Sequence, residues 1–183
     1  NKLLEQRRHI DQSRCHVTLS ANEADQIRQS IVQSWRRSDG AKIPLGRKQA
    51  PLNPVSSEQS FYLKKALAYC QDQLQHITLQ SSMVMAVADI GSTIIWTTTS
   101  KRMQKAAEDV NFVAGGYWGE TQVGTNALAL SLKTQQSTCV FSNEHYMASV
   151  HDWVCYATPI IEPDTKQVVG VLDLSTTWQN HNQ

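Results

Sequence analysis

Two clusters carry residue types that could do chemistry. The stretch GGYWGETQVGTNALALSLKT (115–134) sets Tyr117, Trp118 and Glu120 ahead of Gly124-Thr125-Asn126 and an apolar run. The stretch NEHYMASVHDWVCYATPI (143–160) brings His145, His151 and Cys155 within eleven residues, beside Glu144 and Asp152. Phosphate binding, metal binding, thiol catalysis and small-molecule binding are the chemistries to weigh.

Phosphate cradling fails on spacing. A P-loop needs four residues between its glycines and then Gly-Lys-Ser/Thr. GAKIPLGRK has five between Gly40 and Gly46, followed by Arg47-Lys48-Gln49, and GGYWGETQVGTN has no lysine. For a metal, His145 and His151 are six apart, which suits neither one helix face nor strand neighbours, and no zinc spacing is matched. The bland alternative is a histidine holding a loop through a backbone hydrogen bond. Thiol catalysis would pair Cys155 with His145, oriented by Glu120 or Asp152. Cys155 sits in the strand-like run WVCYATPI, where a buried inert thiol is the commoner case. No catalytic residue and no cofactor is therefore assigned.

Small-molecule binding fits better. Tyr117, Trp118, Trp153 and Tyr156 are aromatics in or beside loops, able to wall an apolar cavity. Glu120, Asn126 and His145 could orient a ligand there. Each has a structural counterpart: Trp153 and Tyr156 as core, Glu120 at the positive end of the following helix. Thr125 or Asn126 would serve as its cap, and Gly124 would permit close packing.

The elements that must position these groups are legible in the hydrophobic pattern. Ser20 and Glu23 fit a capping box, and Ile27, Ile31 and Trp35 recur every four residues, predicting a helix over 20–38. Residues 39–56, with three prolines and two glycines, form a connector. Ser56 and Gln59 would cap a second helix with the stripe Leu63, Leu67, Cys70, Leu74 and Ile77. SMVMAVAD reads as a central strand covered on both faces, turning at 89–92 into the β-branched TIIWTTT. A short helix follows at 101–109, a loop at 110–120 and a helix at about 122–134. STCVF, DWVCYATPIIE and QVVGVLDLS complete the strands, with Pro159 suited to an edge or bulge. Hairpin connections imply an antiparallel sheet with helices on it, an α+β fold.

The 183 residues suffice for one core of ordinary size, at 40% hydrophobic and 18% charged. No apolar run reaches the roughly 20 residues that cross a bilayer. The start lacks Met and a signal-like core, so the chain reads as a fragment of a longer protein. Four cysteines (Cys15, Cys70, Cys139, Cys155) without Cys-x-x-Cys read as reduced thiols in a cytoplasm. Residues 1–50 carry ten Lys/Arg against five Asp/Glu, and 51–183 carry seven against eleven. The basic charges are interspersed, as on a solvated helix face, so direct nucleic-acid binding is not expected.

SIVQSWRRSDGAKIP, MAVADIGSTIIW, YWGETQVGTNALALSL, NEHY, DWVCYATPI and GVLDLS occur in this order. In this they resemble the GAF domains that form the N-terminal sensory region of sigma-54-dependent transcriptional activators. The likeness is to the acetoin and dihydroxyacetone regulator type, over about residues 27–176. It implies a GAF-like central antiparallel sheet of five or six strands with helices on both faces. It places a helical lead and connector at 1–56, the sensory domain at 57–176, and the start of a linker or helix at 177–183. It further implies a pocket bordered by the 111–126 loop and helix start, Phe112 among them, and by 144–146 and 153–155. The candidate ligand-binding set is then Phe112, Tyr117, Trp118, Glu120, Asn126, His145, Trp153 and Cys155. The implied partners are a small-molecule effector, ATPase and helix-turn-helix domains in the full protein, and a second copy through the N- and C-terminal helices. A ligand-free dimerisation or docking module is the alternative, served equally by the stripes at 27–35 and 63–77.

Overall fold

The structure, a computed structural model, describes residues 21–44, 46–55 and 61–181. The predicted capping pairs Ser20/Glu23 and Ser56/Gln59, and the side chain of Ile27, lie outside what is described.

A long helix α1 (Ala21–Gly40) leads through an irregular connector to α2 (Phe61–Leu67) and α3 (Gln71–Leu79). The hairpin β1 (Val84–Asp89) and β2 (Ile94–Thr99) follows, then α4 (Lys101–Asp109). The short α5 (Glu120–Val123) and α6 (Ala127–Thr134) precede β3 (Thr138–Phe141), β4 (Trp153–Ile161), β5 (Val168–Thr177) and a terminal turn α7 (Trp178–His181). The five strands form one sheet in the order β2-β1-β5-β4-β3, and every pairing is antiparallel. This is the α+β, GAF-like architecture expected. β1, flanked by β2 and β5, is buried along its whole length, as its unbroken apolar run predicts. Pro159 lies where β4 has outrun β3, whose pairing stops at Ala157, and a register shift follows at Ile160/Ile161.

Alternation splits the sheet's two faces between two cores. Val84, Ala86 and Ala88 of β1 and Ile94 of β2 face the larger core, with Trp153, Cys155 and Ala157 of β4. Ile31 and Trp35 of α1, Ile43 and Ala50 of the connector, Met103 and Ala107 of α4, and Leu128 and Leu130 of α6 close over it. Val87 and Ile95 face the other way, onto Leu63 and Leu67 of α2, with Leu74 of α3 packed alongside.

Two helices differ from the sequence expectation. The helix read through Leu63 to Ile77 is interrupted at 68–70, where Tyr69 and Cys70 bond three residues back, to the carbonyls of Ala66 and Leu67. The new axis turns the inward phase of α3 through Leu74 and Thr78, so Ile77 is 55% exposed. The helix read as 122–134 is likewise two pieces. Gly124 adopts φ +79 between them, and a Cβ there would stand 2.3 Å from Cβ of Tyr146. Only glycine satisfies both the backbone and the ring packed on it.

Candidate functional site

The sheet floor on the larger-core side is lined with small residues. Directly paired residues share a face, so one row runs Ala86–Asp173–Ala157 and the next Val84–Ser175–Cys155. Above this floor stand Phe112, Trp118 and Trp153. Phe112 meets Trp118 edge-to-face at 5.0 Å and Trp153 at 5.7 Å. Between them lies a small, partly open cavity, lined also by Leu128 and Val150, with room as it stands for about one water.

Six of the eight candidate residues line this cavity: Phe112, Trp118, Asn126, His145, Trp153 and Cys155. Tyr117 and Glu120 do not. Tyr117 bridges to Thr93 of the hairpin turn and lays its ring against Gly119. Glu120 turns outward to α1, where its carboxylate takes Arg37 Nε at 2.6 Å and Nη2 at 2.7 Å, and also Ser34 Oγ. Ser34 in turn bonds Thr125 Oγ1 at 2.8 Å. A bidentate, mostly desolvated Arg–carboxylate pair fixes geometry as well as charge.

Asn126 is the cap of α6, accepting Ala129 N–H at 2.9 Å through its side-chain oxygen. Its amide nitrogen donates to the carbonyls of Trp118 (2.9 Å) and Gly124 (2.8 Å), clamping the aromatic loop to the helix start. Cap and pocket wall, open alternatives in the sequence, are one residue's two duties. Trp118 is held from its other end by its indole N–H on Asn111 O.

His145 and Cys155 meet as the sequence suggested, with Nε2 and Sγ 3.2 Å apart. The ring's other nitrogen faces the Ser142 carbonyl at 3.0 Å, which can only accept, so Nδ1 carries the hydrogen and Nε2 accepts from the thiol. Burial pushes the imidazole down to about 4, opposed by the Ser142 bond and aided by His151. Burial pushes the thiol well above its ordinary value, reinforced by Asp173 and Asp152 and opposed by Ser175. Both groups are neutral near pH 7, the reverse of an activated thiolate–imidazolium pair. Among the described residues no three His, Cys, Asp or Glu side chains are grouped as a metal would require.

Asp173 was not singled out from sequence, although it is 1% exposed and lines the cavity. Burial lifts its carboxyl to about 7, against the pull of Ser175, whose hydroxyl donates to Oδ1 at 2.5 Å. The signal was the acid in GVLDLS, in phase with Val171 and Ser175 on the buried side of the strand.

α1 grips both loops that border the cavity. Beyond Glu120, its Trp35 indole donates to Glu144 O at 2.7 Å, and Tyr146 donates to Asp39 Oδ1 at 3.0 Å. Among the described residues no helix is long and apolar enough to cross a membrane.

The fold recurs in the crystal structure of the E. coli DhaR(N)–DhaL complex, at TM-score 0.71 and 17% identity, over 82% of this chain and 53% of that one. Among curated relatives, the acetoin dehydrogenase operon transcriptional activator AcoR of Bacillus subtilis is 31% identical over 156 residues, 81% of this chain and 26% of its own length. An uncharacterized 47.3 kDa protein encoded in the thcA 5′ region of Rhodococcus erythropolis is 32% identical over 157 residues, 81% of this chain and 35% of its length. The propane 2-monooxygenase operon transcriptional activator MimR of Mycolicibacterium smegmatis is 23% identical over 159 residues, 87% of this chain and 27% of its length. The chain thus spans about a third or less of these relatives. The resemblance to acetoin-type regulators read from the motifs agrees with these matches. The model of the MimR N-terminal domain matches residues 7–182, and the chain belongs to that family.

Proposed function

We propose that this chain is the signal-sensing domain of a cytoplasmic transcriptional activator. A small metabolite binds between the sheet and the 111–126 loop, and α1 passes the event to an attached ATPase and DNA-binding region. The observation that carries this reading is the grip of α1 on the cavity's borders. Ser34 and Arg37 hold Glu120, two residues from the cavity-lining Trp118, while Trp35 holds the carbonyl beside His145. A ligand that widens the cavity must move these loops, and α1 feels both. Such a switch needs differential affinity for the two arrangements, about 5.5 kcal/mol for near-complete conversion. No enzymatic role is proposed, since the one thiol–imidazole pair is buried and neutral. Residues 1–56 act here as lead and connector, 57–176 as the sensory domain and 177–183 as the start of the exit, with homodimerisation through the terminal helices.

The test is a thermal-shift panel of small metabolites, acetoin included, paired with a transcription reporter of the full-length protein. A binding compound should raise the melting temperature and change transcription. Trp118→Ala should abolish both effects, whereas Glu120→Gln should retain binding and lose the transcriptional response. The sensing reading fails if no compound binds and Trp118→Ala regulates normally. A second reading, a ligand-free docking module, draws on the exposed Phe61, Tyr62, Tyr69, Ile77 and Leu79 of α2 and α3 and their junction. The DhaR(N)–DhaL complex supports it by example. Loss of regulation on mutating those residues alone would favour it.

A further inference from the structure

We infer that the last two turns of α1 are a strap that holds the cavity shut, and that the cluster Ser34–Glu120–Arg37 is its catch. The regulatory meaning of the strap rests on the sensing role proposed above, whereas its mechanical action involves no ligand.

The cavity as it stands has room for about one water, so an effector needs it wider and some contact must keep it narrow. The polar holds of α1 fall beside lining residues. Ser34 meets Thr125, the chain neighbour of Asn126. Trp35 takes the carbonyl of Glu144 and Asp39 takes the Tyr146 hydroxyl, so His145 is held from both sides. The two gripped segments are also joined to each other. Tyr146 N–H donates to Thr125 O at 3.1 Å, and the Tyr146 ring packs where Gly124 lacks a side chain. α1 therefore bridges a closed seam between segments 119–126 and 142–147.

The catch follows from the kind of contact each residue makes. Ile31 and Trp35 bury in the larger core and anchor α1 by apolar packing, which has no direction and tolerates a small slide or rotation. The polar cluster tolerates neither. Ser34 is fully buried and gives its one hydroxyl hydrogen to Glu120, so the Thr125 hydroxyl donates to Ser34. Arg37 closes on the same carboxylate through Nε at 2.6 Å and Nη2 at 2.7 Å. Both oxygens of Glu120 are thus engaged at one rotation of α1. The Glu120 side chain is 14% exposed and that of Arg37 33%, so water and salt reach the pair. Among the described residues the other ion pair, Lys105–Asp109, lies within α4 and away from the seam. Cavity width and α1 position are then linked reciprocally: what widens the cavity loosens α1, and what frees α1 lets the seam part.

Hydrogen exchange read segment by segment tests the strap without any effector. The chains compared are the wild type, Glu120→Gln, Arg37→Lys, Glu120→Arg and the double variant Arg37→Glu/Glu120→Arg. β1 is the internal standard, because it is buried along its length and paired on both sides. Glu120→Gln keeps the side chain's shape and removes its charge. It should speed exchange at 119–126 and 142–147 about tenfold, with β1 changing by under about twofold. Arg37→Lys keeps the charge without the planar fork and should fall between Glu120→Gln and the wild type. The double variant should be better protected than Glu120→Arg alone, since the pair is restored with its charges exchanged. Raising ionic strength should speed the same segments in the wild type relative to β1, and should not do so in Glu120→Gln. The wild-type salt series stands even if a variant fails to fold. The inference is overturned if wild-type segments ignore salt, if Glu120→Gln exchanges there as the wild type does, or if β1 rises with them. The last result would make the cluster a staple of the whole fold. Each of these leaves sensing intact, because sensing is decided by the metabolite panel and the reporter.

Discussion

The two faces of the sheet are built on different principles. The α1/α6 face holds a large core with polar groups set into it. His145, Asn126, Asp173 and Ser175 are all buried there, and each has a named hydrogen-bond partner. The α2/α3 face has a small core of Leu63, Leu67, Val87 and Ile95, and leaves large apolar side chains outside, with Tyr69 82% exposed. Buried polar groups cost stability unless satisfied, and once satisfied they specify one arrangement. The first face is thus a specified interior around a small void. The second is a thin layer whose outer surface is available to another body.

The largest expected effect tests the packed side. Trp153→Ala removes a fully buried indole against Phe112 and should cost about 3–5 kcal/mol in urea unfolding. A cost below about 1 kcal/mol would mean that this face collapses around the lesion, and that its interior is no better specified than the other.

The next effect is electrostatic and belongs to the polar inclusions. Between pH 3.8 and about 7, folded Asp173 keeps a proton that the unfolded chain has lost, so this group makes stability fall as pH rises through that window. Between about 4 and 6.5, the unfolded chain binds a proton at His145 that the folded chain refuses, so stability falls as pH drops through that window. The opposing slopes nearly cancel in the wild type. Asp173→Asn removes one of them, and its stability should climb by about 3 kcal/mol from pH 4 to 6.5. Urea melts across that range check it. A variant whose profile parallels the wild type would show that Asp173 does not titrate as a buried acid.

The strands and α4 were legible because their signals are local. Unbroken apolar runs, β-branched segments and turn residues lie within one window of sequence. The pair His145–Cys155 was legible as geometry, but its chemistry was not, because neutrality comes from burial that the sequence does not display. Glu120 was misplaced in the pocket for a related reason: its partner Arg37 is 83 residues away in sequence. The break between α2 and α3 had no Gly or Pro to mark it. The spacing of Leu63, Leu67, Cys70, Leu74 and Ile77 is just what a continuous helix would show.

Ile77 consequently supplies the smallest expected effect and the sharpest contrast with Trp153. It is 55% exposed on α3, so Ile77→Ser removes little packing and should shift the stability of the dilute chain by under about 0.5 kcal/mol. The same measurement at high protein concentration distinguishes a bare face from one covered by a second copy. If copies associate there, wild-type stability rises with concentration, because association with the folded state draws the equilibrium toward it. The Ile77→Ser chain would then lose that rise while keeping its dilute stability. Equal values at both concentrations for both chains would leave the α2/α3 surface bare in solution. Its role would then have to come from a different protein rather than from a second copy.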